Sequence, residues 1–252
     1  MKKIEQKCDF SYKHYEQILR LAKKLGYKFC FFSEQPDLKK RKIYLRHDID
    51  FSMERALKLA EIENKNNIRS TFFIRVDSSF YNLFEPIYSN MVKQIFSFGH
   101  QIGLHFNEKC IKPKKITKKT IEKEIISQLK FFRKFLSHKN LVSFHCPSSF
   151  VLNKKFDSEK FISAYEPQFF SKIKYFSDSR SVWREGCICN FLNSLNPPQN
   201  FQLLTHGESW GTEGKNADSR LAVTLKEKIE QLDEVFAQES EAYQRGSFLK
   251  FF

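Results

Sequence analysis

The sequence predicts an α/β fold of parallel strand–helix units, wound into a barrel or laid out as an open sheet. Short apolar runs alternate with stretches of helical period from residue 42 onward. Six of those runs end in an acid, an imidazole or a guanidinium rather than a turn residue. The 252 residues suit one large domain with a sizeable core, and no linker or internal repeat divides them, so a single domain over 1–252 is expected.

The elements follow in order. A helix is expected over 9–25, with Asp9 as N-cap, Tyr12, Tyr15, Ile18, Leu19, Ala22 and Leu25 on its apolar stripe, and Gly26 ending it. YKFCFF (27–32) reads as a short strand and EQPDLKKRK (34–42) as a polar loop. KIYL (42–45) is a strand, followed by the Ser52-capped helix SMERALKLAEIENKN (52–66). STFFIRV (70–76) is a strand, and EPIYSNMVKQIFSF (85–98) a helix with Pro86 in its first turn. After the strand QIGLHF (101–106), a long helix carries Ile121, Ile125, Leu129, Phe132 and Leu136 on one face. LVSFH (141–145), IKYFSD (173–178), CICNFL (187–192) and FQLLTH (201–206) read as further strands. A closing helix over 218–244 carries Leu221, Leu225, Ile229, Leu232 and Phe236. The core spans about 42–210, with both terminal helices expected to pack on it.

The formal charge of +14 favours anionic partners, or reflects a lysine-rich coding bias. No basic stripe with interleaved glycines and aromatics points to nucleic acid, and the lysine run Lys109, Lys112, Lys114, Lys115, Lys118 and Lys119 reads as a solvated loop. No run approaches the roughly 18 apolar residues of a membrane span, and MKKIEQKCDF lacks the apolar core of a secretory signal, so a cytoplasmic protein is expected. The six cysteines are scattered, and Cys187-x-Cys189 has no second such element at zinc-site spacing. Reduced thiols are expected.

The strand ends carry the chemistry. KIYL runs into Arg46, His47, Asp48 and Asp50, STFFI into Arg75 and Asp77, and QIGL into His105. LVSF runs into His145, IKYFS into Asp178, and FQLLT into His206. In a parallel barrel all these ends share one rim, where active sites form. Asp48 and Asp50 pair a candidate base with a candidate metal ligand, with Arg46 a cation beside both. His105 suits a ligand nitrogen, His145 a ligand or catalytic role, and His206 a proton donor. A carboxylate with imidazoles around an open position is a catalytic zinc arrangement. Asp178 binds substrate or tunes a catalytic group, and Trp210 stacks on a sugar or packs in the core. His100 reads as a helix-end cap, and His14 and His138 as surface residues. His47 has no assigned role.

Arg46-His47-Asp48-Ile49-Asp50, GHQIGLHF (99–106), SFHCPS (143–148), YFSDSRSVW (175–183) and LLTH (203–206), in this order, resemble the polysaccharide deacetylase superfamily. This is the NodB-homology group, also classed as carbohydrate esterase family 4, and the likeness is to its branch in bacterial surface-polysaccharide and lipopolysaccharide biosynthesis. The resemblance implies a distorted (β/α)7 barrel and metal-dependent hydrolysis of an N-acetyl or N-formyl group on a sugar. It makes Asp48 the base, Asp50 and His105 ligands of a divalent metal (Zn2+ above all), and His206 the acid. Lys109 stands where the family has its second ligand histidine, which leaves three alternatives: His145 as replacement ligand, a metal held by fewer protein ligands, or no metal. Arg46, Arg75, Asp178 and Trp210 are the expected substrate-binding residues. With the charge, a nucleotide- or lipid-linked sugar is the expected substrate, and a peripheral contact with an anionic membrane surface a further expectation. The alternative is a non-catalytic barrel that binds a glycan or a partner protein.

Overall fold

The computed structural model describes residues 8–133, 140–153, 160–212 and 216–250. The chain order is α1 (Tyr12–Lys24), β1 (Lys28–Phe29), β2 (Lys42–Ile49), α2 (Met53–Lys65), β3 (Thr71–Ile74), α3 (Pro86–Ser97), β4 (Gln101–Asn107) and α4 (Lys118–Phe132). It continues through β5 (Leu141–His145), α5 (Ser149–Leu152), β6 (Ile162–Ser163), α6 (Pro167–Phe170), β7 (Lys174–Ser177), α7 (Ile188–Leu192), β8 (Asn200–Thr205) and α8 (Ala217–Glu239).

Every strand pair is parallel, in the order β6-β5-β4-β3-β2-β8-β7, with β1 added on β2. The sheet curls into a half-barrel. Five steps of about 4.8 Å would put β6 and β8 roughly 24 Å apart in a flat sheet. Instead, Gln202 of β8 donates from Nε2 to the carbonyls of Ala164 (3.0 Å), just after β6, and Phe169 (2.8 Å) of α6. The α6 turn thus stops the gap between β6 and β7.

Strand alternation sorts the side chains. Tyr44, Phe73, Leu141, Phe169 and Phe32 fill the inside, and Ile43, Leu45, Phe72, Ile74, Ile102, Leu104, Val142 and Phe144 pack outward under the helices. Gly103 makes room for the inner layer, because a Cβ there would lie 2.6 Å from the Phe73 ring. The same outward face of β2 carries His47, and this gives it a structural role. Its Nδ1 lies 2.8 Å from the hydroxyl of Thr205, its partner in register on β8, and its Nε2 lies 2.7 Å from Glu63 of α2. Glu63 is fully buried and also accepts from Tyr15 (2.5 Å) and Ser70 (2.6 Å). Burial pushes its carboxyl up, but His47, His100 and Ser70 outweigh this and leave it below its ordinary value. His100 is therefore buried in this network, accepting from the Ser70 amide at 3.1 Å, and does not cap a helix at the surface.

Other expectations are corrected. Ser11 caps α1 in place of Asp9, accepting from the His14 amide at 2.9 Å, while Asp9 caps Ser11 itself. CICNFL forms the short helix α7, a run too short and uniformly apolar for its period to separate helix from strand. His14 is only 4% exposed. Leu136 and His138 lie outside the described residues. The α8 helix docks by its polar side: Arg55 donates to Glu227 at 2.7 and 2.8 Å, and Lys228 meets Glu54 at 3.0 Å. Its stripe of Leu221, Leu225, Ile229, Leu232 and Phe236 is turned outward and exposed. Among the described residues no helix is long and apolar enough to cross a membrane.

Candidate active site

Strand alternation also builds the site. Asp48 and Asp50 lie in phase on β2 and just past it, His105 on β4, Ser143 and His145 on β5, and His206 past β8. His105 and Ser143 face each other in register. The rim opens into a cleft of about 690 Å³, lined by Asp48, Asp50, His105, His145 and His206.

Asp50 is the point of convergence. Its Oδ1 lies 3.1 Å from His105 Nε2 and 2.9 Å from His145 Nδ1. Burial pushes the carboxyl up, but the two imidazoles outweigh it and hold Asp50 well below the usual carboxylate range. A divalent ion with bonds of about 2.1 Å to N and O sets its ligands about 3.0–3.4 Å apart. One carboxylate and two imidazole nitrogens at these separations fit such an ion, and Asp50, His105 and His145 are gathered closely enough to hold one. Lys109 is exposed in the turn after β4 and takes no part.

Behind the ligands, His105 Nδ1 lies 2.6 Å from Ser143 Oγ, which donates to Asp48 Oδ1 at 3.0 Å. Ser143 has one proton, and giving it to Asp48 leaves its oxygen to accept from His105 Nδ1–H. His105 Nε2 is thereby the nitrogen turned to the metal position. Ser143, which strand-end reading missed, shares the parity of His145 on β5 and joins the candidate site through His105 and Asp48. Arg46 lies 3.5 Å from Asp48 Oδ2 and is held under Tyr165, with its guanidinium 4.8 Å from the ring centre. It pairs with Asp48 alone, because Asp50 has turned to the imidazoles.

Across the cleft, His206 Nδ1 lies 2.6 Å from Asp178 Oδ1, and the other Asp178 oxygen accepts from the His206 amide (3.0 Å) and the Trp210 indole (3.0 Å). Burial works against a charged imidazole here, but Asp178 raises the His206 pKa well above its ordinary value. Asp178 thus orients His206, and the fully buried Trp210 orients Asp178. Neither lines the cleft, nor do Arg46 or Arg75, whose guanidinium is taken by Asp77 at 3.1 Å. Each of these side chains contacts neighbours inside the protein: Arg46 meets Asp48, Arg75 meets Asp77, and Asp178 meets His206 and Trp210. Tyr165, Phe170, Tyr175, Trp183, Arg180 and Arg184 line the cleft instead.

No protein-family model matches the chain, and no curated protein matches it. Solved structures similar to it include a family 4 carbohydrate esterase from Bacillus anthracis, at 17% identity and TM-score 0.43 over 90% of both chains. Bacillus subtilis PdaA, also a family 4 carbohydrate esterase, is similar at 16% identity and TM-score 0.45, over 89% of this chain and 90% of that one. The peptidoglycan N-acetylglucosamine deacetylase Bc1960 is similar at 16% identity and TM-score 0.47, over 85% and 92%.

Proposed function

We propose that this protein is a divalent-metal-dependent carbohydrate N-deacylase of the polysaccharide deacetylase type. The observation that supports it most is the meeting of His105 and His145 on one oxygen of Asp50, with Asp48 behind them and His206 on the same cleft. Asp50, His105 and His145 would hold the metal, which when bound polarises an amide carbonyl and makes water a better nucleophile.

The protein's own groups do the rest. Asp48, which lines the cleft with the Ser143 hydroxyl on Oδ1 and Arg46 beside Oδ2, accepts the proton of the attacking water. His206, its Nδ1 tied to Asp178, offers Nε2 to the cleft and protonates the departing amine. Water adds to the acyl carbon, the C–N bond breaks, and a carboxylate and a free amino sugar leave. The aromatic wall of Tyr165, Tyr175 and Trp183 suits the faces of sugar rings. Arg180 and Arg184 on that wall, with the net charge of +14, suit a sugar linked to phosphate, as in a nucleotide- or lipid-linked precursor of a surface glycan. Zinc fits the ligand set, and a cytoplasmic setting fits a precursor substrate.

The test is release of acetate or formate from N-acylated amino sugars, free, nucleotide-linked and oligomeric, with zinc, cobalt or manganese supplied. Release that disappears in Asp48→Asn and His206→Ala is expected. Its absence with every metal and acceptor would leave the non-catalytic glycan-binding alternative.

A further inference from the structure

The rim is not the only place where metal-binding side chains gather. Cys8, just before α1, His14 on the first turns of α1, and Cys187, at the start of α7, bring their ligand atoms within 4.8 Å of one another. His14 Nε2 lies 3.1 Å from Cys187 Sγ. Cys189, on the first turn of α7, is a side-chain neighbour of both Cys187 and His14. Three thiols and an imidazole, from a C-x5-H segment and a distant C-x-C, therefore share one location.

We propose that Cys8, His14, Cys187 and Cys189 form a closed structural zinc site, separate from the catalytic rim. A tetrahedral zinc with Zn–S bonds of about 2.3 Å and a Zn–N bond of about 2.0 Å sets its ligand atoms roughly 3.5–3.8 Å apart. The ligand atoms of Cys8, His14 and Cys187 lie within 4.8 Å of one another, with His14 Nε2 and Cys187 Sγ at 3.1 Å, and Cys189 is the adjoining thiol that would turn in as the fourth ligand. Its burial calls for a strong partner: His14, Cys187 and Cys189 are 3–4% exposed, in an apolar cluster, and thiols are weak hydrogen-bond partners for a buried imidazole. Soft thiolate with imidazole selects zinc, whereas the harder oxygen and nitrogen set of the rim keeps an open position. Zinc with three thiolates carries one negative charge. The Arg220 guanidinium, 4.0 Å over the Phe10 ring and in charge interaction with Cys8, offsets it.

The site has a mechanical role. Cys187 directly follows the segment 179–186, whose Arg180, Trp183, Arg184 and Gly186 form one wall of the cleft. Zinc would fasten that wall to α1, the helix that also sends Tyr15 to Glu63 beneath β2. Substrate grip and the N-terminal helix would then be held by one ion.

Cobalt spectroscopy on the full-length protein tests this, because thiolate-to-cobalt charge-transfer absorption in the near ultraviolet arises only where sulfur binds the ion. Expected are that band in the wild type, its retention in Asp50→Ala and Cys146→Ser, and its loss in the double variant Cys187→Ser/Cys189→Ser. Zinc content should be about two equivalents in the wild type and about one in Asp50→Ala/His105→Ala. A cobalt-loaded wild type without the sulfur band overturns the site even where the cysteine variants do not fold. So does a disulfide among Cys8, Cys187 and Cys189, seen as thiols that resist alkylation until reduced. Deacylase activity is a separate measurement, so either reading can fail alone.

Discussion

His206 Nδ1 lies 2.6 Å from Asp178 Oδ1, and the same carboxylate is pinned from behind by the Trp210 indole. This places the proposed proton donor under the control of a residue that never meets the substrate. Asp178 raises the His206 pKa above its ordinary value, favouring the protonated imidazole against the cost of burial. Asp178→Asn should let it fall back toward that value and move the alkaline limb of activity to lower pH. His206→Ala should cost about 10²–10⁴-fold in kcat. A pH–rate profile beside an imidazole NMR titration checks both, and an unmoved alkaline limb in Asp178→Asn would sink the assignment.

The proposed ligand role of His145 is open to direct measurement. Since His145 contacts Asp50 and Lys109 faces solvent, His145→Ala should lose rim metal and Lys109→Ala should keep it. Elemental analysis after dialysis separates them.

Ser143→Ala removes the one hydroxyl between His105 and Asp48. A weakening of about 10–100-fold in metal affinity or activity is expected from losing such an orienting contact. Competition with a chelator measures it, and an unchanged affinity would show that His105 needs no orienting partner.

Beneath the rim, Glu63 is a stability residue with a defined pH signature. Folding lowers its pKa, so its contribution is complete above the ordinary value of 4.5 and is lost as pH falls through the lower folded value. Glu63→Ala should cost about 3–5 kcal/mol at neutral pH, because it strands His47 and its buried neighbours. Denaturant midpoints taken from pH 7 downward should show the gap between wild type and variant narrowing with acid.

On the cleft wall, Arg184→Ala should raise KM for phosphate-linked sugars and leave neutral oligosaccharides unaffected. Added salt should produce the same selective weakening in the wild type. An equal loss for neutral and charged acceptors would remove the phosphate-recognition role.

Much of the rim was legible because strand ends can be read one at a time. Asp48, Asp50, His105, His145 and His206 each close an apolar run, and a parallel sheet brings such ends together whatever its order. Ser143 is mid-strand and small, and only the register that sets it opposite His105 gives it meaning. The inward turn of Trp210 to Asp178 and of Arg75 to Asp77 was not legible, because nearness to a rim along the chain does not fix which way a side chain points. The stripe on α8 shows the matching limit for helices. Amphipathicity marks an apolar face, but the pairs Arg55–Glu227 and Lys228–Glu54 decide which face docks. Cys8 and His14 meet Cys187 only through the packing of α1 against α7, which no spacing along the chain reveals.

The inward parity shared by Arg46, Asp48 and Asp50 leaves His47 and Ile49 to the opposite side, where the Glu63 network and the outer core begin. Chemistry and packing are thus interleaved residue by residue along one strand. Inserting or deleting a single residue within β2 would exchange the two sets, sending carboxylates into the hydrocarbon layer and a core isoleucine into the water of the cleft. Residues on either face of the strand can be exchanged one at a time, but the length of the strand is locked.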